Sequence, residues 1–248
     1  MKGVILAGGL GTRLAPLTNI TNKHLLPIYD KPMIYYPIQT LVNAGIEDIM
    51  VVTGGNNAGD FLRLLGNGRA FGLKWLRYSY QEGEGGIADA LSLAEHFCDG
   101  GKTLVMLGDN VIEKDIIASV KAFREQKTGA RILLKEVANP QDYGVAVLEG
   151  DRVQKIIEKP TVPPSNYAVV GIYMYDGGVF DRIRNLAPSA RGELEITDVN
   201  NLYIEDGTMA YDFLDGWWAD AGSSIEGWFQ VNRKVAEGGA NRVSVSGR

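Results

Sequence analysis

Segments with the pattern of buried strands alternate with segments of helical spacing over about the first 140 residues, and this alternation limits the folds open to the chain. Residues 3–7 (GVILA) form a short apolar run, and residues 34–42 repeat apolar side chains at helical spacing between Pro32 and Gly45. Strand patterns also occur at 48–53, 73–80, 103–107 and 130–137, and helical patterns at 60–65, 87–97 and 115–126. We therefore predict an α/β fold in which right-handed crossovers build a mainly parallel sheet with helices on both faces.

The second half of the chain does not continue this alternation of strand and helix patterns. Strand patterns with turn residues between them predict β-hairpins over residues 144–149, 153–158 and 167–175, and the proline-containing stretch 161–166 predicts a loop. Helical spacing returns at 193–206 and 225–235. Because no composition shift marks a linker, we predict one domain over residues 1–236, with two parts that meet near residue 138, and a loose tail over 237–248.

Composition excludes several classes of protein. The 248 residues are 45% hydrophobic and carry a formal net charge of −5, so a packed core is expected and nucleic-acid polymers are not expected as partners. No apolar run is long enough to span a membrane. A single cysteine, Cys98, and the absence of a signal-peptide pattern lead us to expect a cytoplasmic protein.

A glycine-rich loop directly follows the first strand pattern. Glycines let backbone N–H groups close on an anion, and the planar charge of Arg13 can bind two phosphate oxygens. The loop matches neither the Walker nor the dinucleotide-binding glycine pattern. It predicts a phosphate-binding loop, with a plain tight strand exit as the alternative; its candidate ligand residues are Leu6, Gly8, Gly9, Gly11, Thr12 and Arg13.

Three other side chains are candidates for binding or catalysis. Asp109 lies in a turn after an apolar strand, where an aspartate is equally suited to forming the turn or to binding a metal. Gln81 begins a loop that includes Gly86, and an amide there either pairs with the edge of thymine or uracil or faces water. Lys23 lies in a loop with no helix-surface charge pattern to explain it, and it is either a ligand or a solvated lysine.

Two further features have ordinary structural explanations. The Glu158–Lys159 pair precedes a proline, but such pairs are common on surfaces. His24 and His96 have no neighbours at the spacing of a zinc site, so we expect both to be structural.

Several motifs in one order give a specific resemblance that extends over about 230 residues. The N-terminal half contains LAGGLGTRL, NKHLLP, DKPMI and LGDN, and the C-terminal half contains YGV, EKP, NYAVV, RGELEITD and WADAG. With these motifs the chain resembles the sugar nucleotidyltransferase family. The resemblance implies a Rossmann-like α/β sheet with a β-rich sugar-binding subdomain, so residues 1–138 would bind the nucleotide and 139–236 the sugar phosphate.

The resemblance also implies substrates, a cofactor and roles. The substrates are dTTP and a sugar 1-phosphate, with α-D-glucose 1-phosphate as the expected sugar, in a homo-oligomeric enzyme. Mg²⁺ is bound by Asp109 and Asp220, Gln81 and Gly86 bind the base, and Arg13, Lys23 and Asp109 are catalytic. The residues that the resemblance assigns to the sugar phosphate are Tyr143, Gly144, Glu158, Lys159, Val170 and Arg191.

The implied reaction needs no general base. A phosphate monoester is largely dianionic at pH 7, so it can attack the α-phosphorus in line and expel pyrophosphate. Three alternatives remain at this point: a uridylyltransferase or another sugar-1-phosphate nucleotidyltransferase, a regulatory protein that binds a sugar nucleotide without catalysis, and a nicotinamide dehydrogenase, which the glycine pattern disfavours.

Overall fold

The structure is a computed structural model, and it describes residues 1–55 and 57–243. Its strands are β1 (Lys2–Ala7), β2 (Pro27–Ile28), β3 (Lys31–Pro32), β4 (Asp48–Gly54), β5 (Trp75–Gln81), β6 (Thr103–Leu107), β7 (Asn110–Ile112), β8 (Ala130–Glu136), β9 (Gly144–Glu149), β10 (Arg152–Glu158), β11 (Tyr167–Tyr175), β12 (Met209–Phe213) and β13 (Trp218–Asp220). Its α-helices are α1 (Tyr35–Asn43), α2 (Ala58–Leu65), α3 (Ile87–Ser92), α4 (Glu95–Cys98), α5 (Ile117–Glu125), α6 (Val179–Arg184), α7 (Ile196–Glu205) and α8 (Ile225–Gly238).

The chain divides into two compact units. The first, here the glycine-loop unit, consists of Lys2–Glu84, Met106–Ile117 and Asp215–Arg248. The second, here the hairpin unit, consists of Met1, Gly85–Val105 and Ala118–Leu214. Each unit is compact in space but is built from segments that are distant from one another in the sequence.

Parallel strands form the centre of the glycine-loop unit. Strand β1 pairs in parallel with β4, and β4 pairs in parallel with β5. Val4, Ile5 and Val51 are fully buried, as expected for strands covered on both faces. This arrangement places the ends of β1, β4 and β5 on one edge, where loops carry ligands in open parallel sheets.

A short antiparallel pair lies in the same unit. Strand β13 pairs with β7 in a register that opposes Asp220 to Asn110. Val111 and Ala221 are buried here in an apolar cluster with Tyr36 of α1 and Val231 of α8. The cluster thus packs the β7–β13 pair against two helices.

The hairpin unit is built on mixed strands. Strand β10 pairs antiparallel with β9, β11 pairs antiparallel with β8 and β9, and β12 pairs in parallel with β8. Helix α7 contacts β10, and the side chain of Asn201 is hydrogen-bonded to both the N–H and the C=O of Ile156, at 2.9 Å each. A helix side chain therefore satisfies backbone groups of this strand.

The structure confirms the predicted α/β class and corrects several elements. Residues 87–97 form two helices rather than one, because the chain turns after Ser92, whose hydroxyl donates to Asp89 O at 2.6 Å. The first predicted helix begins at Tyr35, since Pro32 belongs to the β2–β3 pair. The helix predicted from residue 193 begins at Ile196, and the elements absent from the prediction are β2, β3, β7, β12, β13 and α6.

The segment predicted as a loose tail differs from that expectation where the structure describes it. Helix α8 continues to Gly238, and Asn241 and Arg242 are hydrogen-bonded to the backbone of Ile112 and Glu113. Residues 244–248 lie outside the described residues. Among the described helices, none is both long and apolar enough to cross a membrane.

Candidate active site

The glycine-rich loop leaves β1 at Ala7 and turns through left-handed backbone. Gly9 has φ 87° and Gly11 has φ 67°, conformations that favour glycine. A Cβ at Gly8 would lie 2.8 Å from Oε1 of Gln81, so the absence of a side chain at Gly8 leaves room for that amide. Strand β5 thereby brings Gln81 against the loop, as the predicted nucleotide-binding set requires.

Lys23 is presented by a single turn of 3-10 helix over Lys23–Leu25. Asn22 caps this turn: its Oδ1 accepts from the N–H of His24 at 2.9 Å and lies 2.7 Å from His24 Nδ1. The ammonium of Lys23 lies 2.6 Å from Oδ2 of Asp109. The loop after β6 and the turn at residue 23 are thus joined by a nearly buried ion pair.

The two predicted metal ligands lie on neighbouring strands. Asp109 directly precedes β7, Asp220 ends β13, and the N–H of Ala221 donates to the carbonyl of Asp109 at 2.9 Å. Oδ1 of Asp220 accepts from the N–H of Gly222 at 2.9 Å. The antiparallel register therefore brings both carboxylates to the end of one short strand pair.

Three charges perturb one another at this point. Burial opposes the charge of Lys23, but Asp109 and Asp220 outweigh burial and raise its pKa. Burial also opposes the charge of Asp109, yet the ammonium of Lys23 holds the pKa of this carboxyl well below its usual range. Burial and the charge of Asp109 raise the pKa of Asp220 to about 7. Lys23 thus pairs with Asp109, whereas for Asp220 the favourable charges of Lys23 and Arg13 are outweighed by burial and by Asp109.

Arg13 is an exposed residue near the same charges. Its charge acts to lower the pKa of both Lys23 and Asp220, and the described residues give its guanidinium no hydrogen bond or ion pair. Two cations therefore flank two carboxylates, and one of the cations is available to an anion.

The residues fit a hard dication. Mg²⁺ commonly takes one or two protein carboxylates and completes its shell with phosphate oxygens and water, so a cluster of three protein donors is not required. The described residues contain no such three-donor cluster. The carboxylate oxygens of Asp109 and Asp220 suit Mg²⁺ bound together with a phosphate chain.

Two glycines make the close approach of these groups possible. A Cβ at Gly222 would lie 2.4 Å from Asp109 Oδ2 and 2.8 Å from Lys23 Nζ. A Cβ at Gly108 would lie 2.8 Å from Cδ2 of His24. Burial, assisted by the charge of Lys23, lowers the pKa of His24 to about 3, so this ring packs in its neutral form. The expectation that His24 is structural agrees with this packing.

The hairpin unit carries a second polar cluster. Oε2 of Glu158 accepts from the hydroxyl of Thr197 at 2.6 Å, and Nη2 of Arg191 lies 3.8 Å from Glu158 Oε1. Arg191 is held more closely by Glu195, with Nη2 to Oε2 at 2.8 Å, and by Glu193 at 3.4 Å. Burial opposes the charge of Arg191, but the bonds to Glu195 raise its pKa. The predicted phosphate ligand Arg191 is therefore already paired in this structure.

Lys159 is held in an unusual backbone conformation. Its φ is 41°, in the left-handed region, and its N–H donates to the carbonyl of Tyr143 at 3.0 Å. Its Nζ lies 4.0 Å from Glu158 Oε1. A non-glycine residue in this conformation is strained, and such strain is concentrated at functional sites.

Of the other predicted residues of this unit, Gly144 lies against the cluster of Glu158 and Thr197, whereas Val170 and Gly86 lie elsewhere in the unit. A Cβ at Gly144 would lie 3.3 Å from Glu158 Oε2 and from Thr197 Oγ1. Val170 is fully buried in β11, as ordinary strand packing also gives. Gly86 has φ 95°, and a Cβ there would lie 2.6 Å from the carbonyl of Leu194.

The structure brings the predicted residues into two groups. Those of the glycine-loop unit are Leu6, Gly8, Gly9, Gly11, Thr12, Arg13, Lys23, Gln81, Asp109 and Asp220. Those of the hairpin unit are Gly86, Tyr143, Gly144, Glu158, Lys159, Val170 and Arg191. The base ligands Gln81 and Gly86 thus belong to different units.

Sequence reasoning missed four residues that support these groups. Thr197 and Glu195 both lie inside the RGELEITD motif, whose five polar side chains gave a signal, but only Arg191 was selected from it. Asn22 and Gly222 also lie inside recognised motifs, beside Lys23 and Asp220. The roles of Thr197 and Gly222 depend on contacts with segments that are distant in sequence, whereas Asn22 and Glu195 contact residues two and four positions away.

The glycine loop, the paired carboxylates and the α/β framework together define a nucleotidyl transferase. Residues 2–238 match the family model of nucleotidyl transferases, so the chain belongs to that family. The chain is 45% identical over 227 residues to a glucose-1-phosphate thymidylyltransferase from Actinoplanes sp., and the match covers 90% of this chain and 74% of that protein.

Solved structures agree with this family. A Bacillus anthracis protein assigned as a glucose-1-phosphate thymidylyltransferase, in complex with a sucrose, is 47% identical with a TM-score of 0.90 over 94% of both chains. A UDP-glucose pyrophosphorylase complexed with UDP-glucose has a TM-score of 0.81 over 95% of this chain and 98% of that one, at 24% identity. The second likeness shows the fold alone. The predicted family and fold class are thereby confirmed.

Proposed function

We propose that this enzyme transfers a thymidylyl group from dTTP to α-D-glucose 1-phosphate and releases pyrophosphate. The observation that carries the proposal is the group formed by Lys23, Asp109 and Asp220, with the ammonium 2.6 Å from the first carboxylate. The names of its relatives support the choice of thymidylyl and glucosyl substrates. Both substrates are anions, so in a chain with a formal net charge of −5 their binding depends on individually placed cations.

The glycine-loop unit binds dTTP in this proposal. Backbone N–H groups of the Gly8–Gly11 turn face the phosphates, and the free guanidinium of Arg13 binds the pyrophosphate leaving group through two oxygens. Gln81, which is nearly buried against the loop, pairs with the thymine edge. Gly86 stays a predicted base ligand.

Charge neutralisation is the main catalytic contribution. Mg²⁺ held by Asp109 and Asp220 would supply positive charge to the phosphoryl oxygens. Lys23 stabilises the negative charge on the α-phosphoryl as the sugar phosphate attacks. The raised pKa of Lys23 keeps its side chain charged as an ammonium for this role.

The hairpin unit binds the sugar phosphate. Glu158, fixed by the hydroxyl of Thr197, accepts hydrogen bonds from sugar hydroxyls, and Lys159 binds the phosphate. Arg191 is a further phosphate ligand that exchanges part of its contact with Glu195 for the substrate. The positions proposed to line the sugar are Tyr143, Gly144 and Val170.

A pyrophosphate-release matrix tests this proposal directly. Each of dTTP, UTP, CTP and GTP is offered with each of several sugar 1-phosphates, and dTTP with glucose 1-phosphate is expected to have the highest kcat/KM. A preference for UTP would support the uridylyltransferase alternative. Tight binding of dTDP-glucose without turnover would support the regulatory alternative.

Two variants assign the catalytic group. We expect Lys23→Ala and Asp109→Asn each to lower kcat by at least about 100-fold, because the first removes an ammonium that stabilises the transition state and the second removes a carboxylate that would hold Mg²⁺. Circular dichroism and the melting temperature control for folding. Pyrophosphate release at the wild-type rate by either folded variant would overturn the assignment. Homo-oligomer formation stays a prediction, and light scattering after size exclusion would measure it.

A further inference from the structure

Asn241 is bonded to both α1 and β7 of the glycine-loop unit. Its N–H donates to the carbonyl of Ile112 at 2.9 Å, and its carbonyl accepts from Asn43 Nδ2 at 3.1 Å. Its side-chain Nδ2 donates to Tyr36 O at 2.9 Å, and its Oδ1 accepts from the hydroxyl of Thr40 at 2.9 Å. Four hydrogen bonds therefore converge on a residue that lies beyond the last helix.

The backbone of Asn241 explains the residue type. Its φ is 55°, in the left-handed region, which among side chains asparagine and aspartate adopt most readily. Glycine would allow the same turn without the two side-chain bonds. Aspartate would accept from Thr40 but could not donate to the carbonyl of Tyr36 when ionised. Asparagine alone meets all of these requirements.

The next residue extends the attachment along the same strand. The N–H of Arg242 donates to the carbonyl of Glu113 at 2.8 Å, and its guanidinium forms an ion pair with the carboxylate of Glu113. That carboxylate also accepts from the N–H of Trp217 at 2.8 Å. Residues 239–243, here called the strap, thus connect α1, β7 and the segment that leads into β13.

The strap is attached close in sequence to the carboxylate pair, at a point two to three residues along the chain from Asp220 and Asp109. Ile112, which receives the N–H of Asn241, is paired with Trp218 across β7 and β13. At the other end of the same short strands, Asp220 opposes Asn110, which follows Asp109. A shift of β7 relative to α1 would therefore move both carboxylates together.

We propose that Asn241 is a positioning residue for the carboxylate pair: by fixing β7 to α1 it sets where Asp109 and Asp220 hold their metal ion. The inference rests on the proposed function for the identity of the ion. Within the part of the chain that the structure describes, the hydrogen bonds and the ion pair of the strap go to residues other than Asp109 and Asp220, and the predicted reaction does not use the strap.

The test is Asn241→Gly, which keeps the left-handed turn and removes the side-chain bonds to Tyr36 and Thr40. Deuterium exchange of the amides in residues 109–113 is measured without metal, and the Mg²⁺ concentration for half-maximal pyrophosphate release is measured with both substrates. We expect faster exchange in this segment and a rise in the required Mg²⁺ on the order of tenfold, as for residues that orient metal ligands.

Asn232→Ala is the matched control. It removes the side-chain bonds of another asparagine of this unit, to Tyr29 N at 2.6 Å and Trp228 O at 2.8 Å, and neither partner belongs to α1 or β7. The control is expected to leave the Mg²⁺ requirement and the exchange of 109–113 unchanged. Thr40→Val, which keeps side-chain shape and removes one donor to Asn241, should shift both readouts in the same direction by less.

The outcomes separate this inference from the proposed function. An unchanged exchange rate and Mg²⁺ requirement in folded Asn241→Gly would overturn the positioning role, as would an equal change in the control. If Asn241→Gly does not fold, the same two measurements on Thr40→Val decide the question. Lack of turnover in the wild-type protein would count against the proposed function, and the exchange experiment would still test the strap.

Discussion

The ammonium of Lys23 lies 2.6 Å from the carboxylate of Asp109, and both groups lie close to Gly222, which has no side chain. A Cβ at Gly222 would lie within 3 Å of both groups, and the φ of Gly222 is outside the left-handed region. Position 222 therefore requires glycine because a Cβ would clash with these two groups, and not because the backbone conformation favours glycine. The ion pair and the turn after β13 are fitted to each other.

Gly222→Ala should displace the ion pair while leaving the turn unstrained. A displacement of about 1 Å at a reacting group can cost on the order of 100-fold in rate, so we expect a fall in kcat of that size. Steady-state kinetics with both substrates would measure it. Gly238→Ala is the control, because a Cβ there meets nothing within 4 Å. Equal activity of the two variants would show that the pair tolerates the methyl group.

The raised pKa of Asp220 predicts a pH dependence of stability in the metal-free protein. Its folded pKa of about 7 exceeds the ordinary value of 3.8, so between these values the folded state binds more protons than the unfolded state. The contribution of Asp220 to the free energy of unfolding is therefore largest below its ordinary pKa of 3.8, and it falls as the pH rises toward about 7. We expect Asp220→Asn to reduce this slope by about 1 kcal/mol per pH unit.

Urea unfolding of both proteins in EDTA at pH 5, 6 and 7 would measure the slope difference for Asp220→Asn. Asp109, whose pKa is lowered by Lys23, loses its contribution only as pH falls below its ordinary value of 3.8 and does not interfere in this range. Parallel slopes in the two proteins would contradict the raised pKa. Addition of Mg²⁺ at pH 7 should stabilise the wild-type protein more than the variant.

Arg13→Lys should impair catalysis although it preserves charge. A lysine ammonium cannot bind two phosphate oxygens in the fixed geometry of a guanidinium, so we expect kcat to fall about tenfold or more. Arg63→Lys, on the exposed face of α2, is the matched control. Kinetics with varied dTTP would distinguish a loss in kcat from a loss in KM. Wild-type kcat in Arg13→Lys would exclude a two-oxygen contact with the leaving group.

Thr197→Val should weaken binding of the sugar phosphate and leave dTTP binding unchanged. The substitution removes the hydroxyl that donates to Glu158 at 2.6 Å, and a lost hydrogen bond to a charged group costs about 1.5–3 kcal/mol. The KM for glucose 1-phosphate is therefore expected to rise about tenfold or more. Thr197→Ser retains the hydroxyl and should restore the wild-type KM. A parallel rise in both KM values would indicate a general disturbance of the fold.

The sequence was sufficient for elements whose pattern is local. Strands β6, β9 and β11 have the bounds predicted, because apolar runs and turn residues mark their ends in the sequence itself. The break between α3 and α4 was missed because residues 87–97 contain no glycine or proline, and a serine side chain ends the first helix instead. Strands of two or three residues, such as β2 and β7, are too short to show a periodicity.

The candidate site shows the same limit. Glycines and charged residues in motifs could be recognised one by one, but their partners depend on contacts across long stretches of chain. The pair formed by Lys23 and Asp109, 86 residues apart, became evident only in the structure. The attachment of Asn241 to α1, about 200 residues away, had no signal in a tail rich in glycine and serine.

The left-handed backbone of Lys159 restricts how this position can evolve. Glycine, asparagine or aspartate would relieve the strain of φ 41°, but none of them carries a positive charge. Pro160 adds to the backbone strain at Lys159, because a residue before proline is disfavoured in helical conformations. A lineage that keeps a cation at this point must keep the strained backbone with it, so drift at residue 159 should exchange lysine for arginine far more often than for any smaller residue.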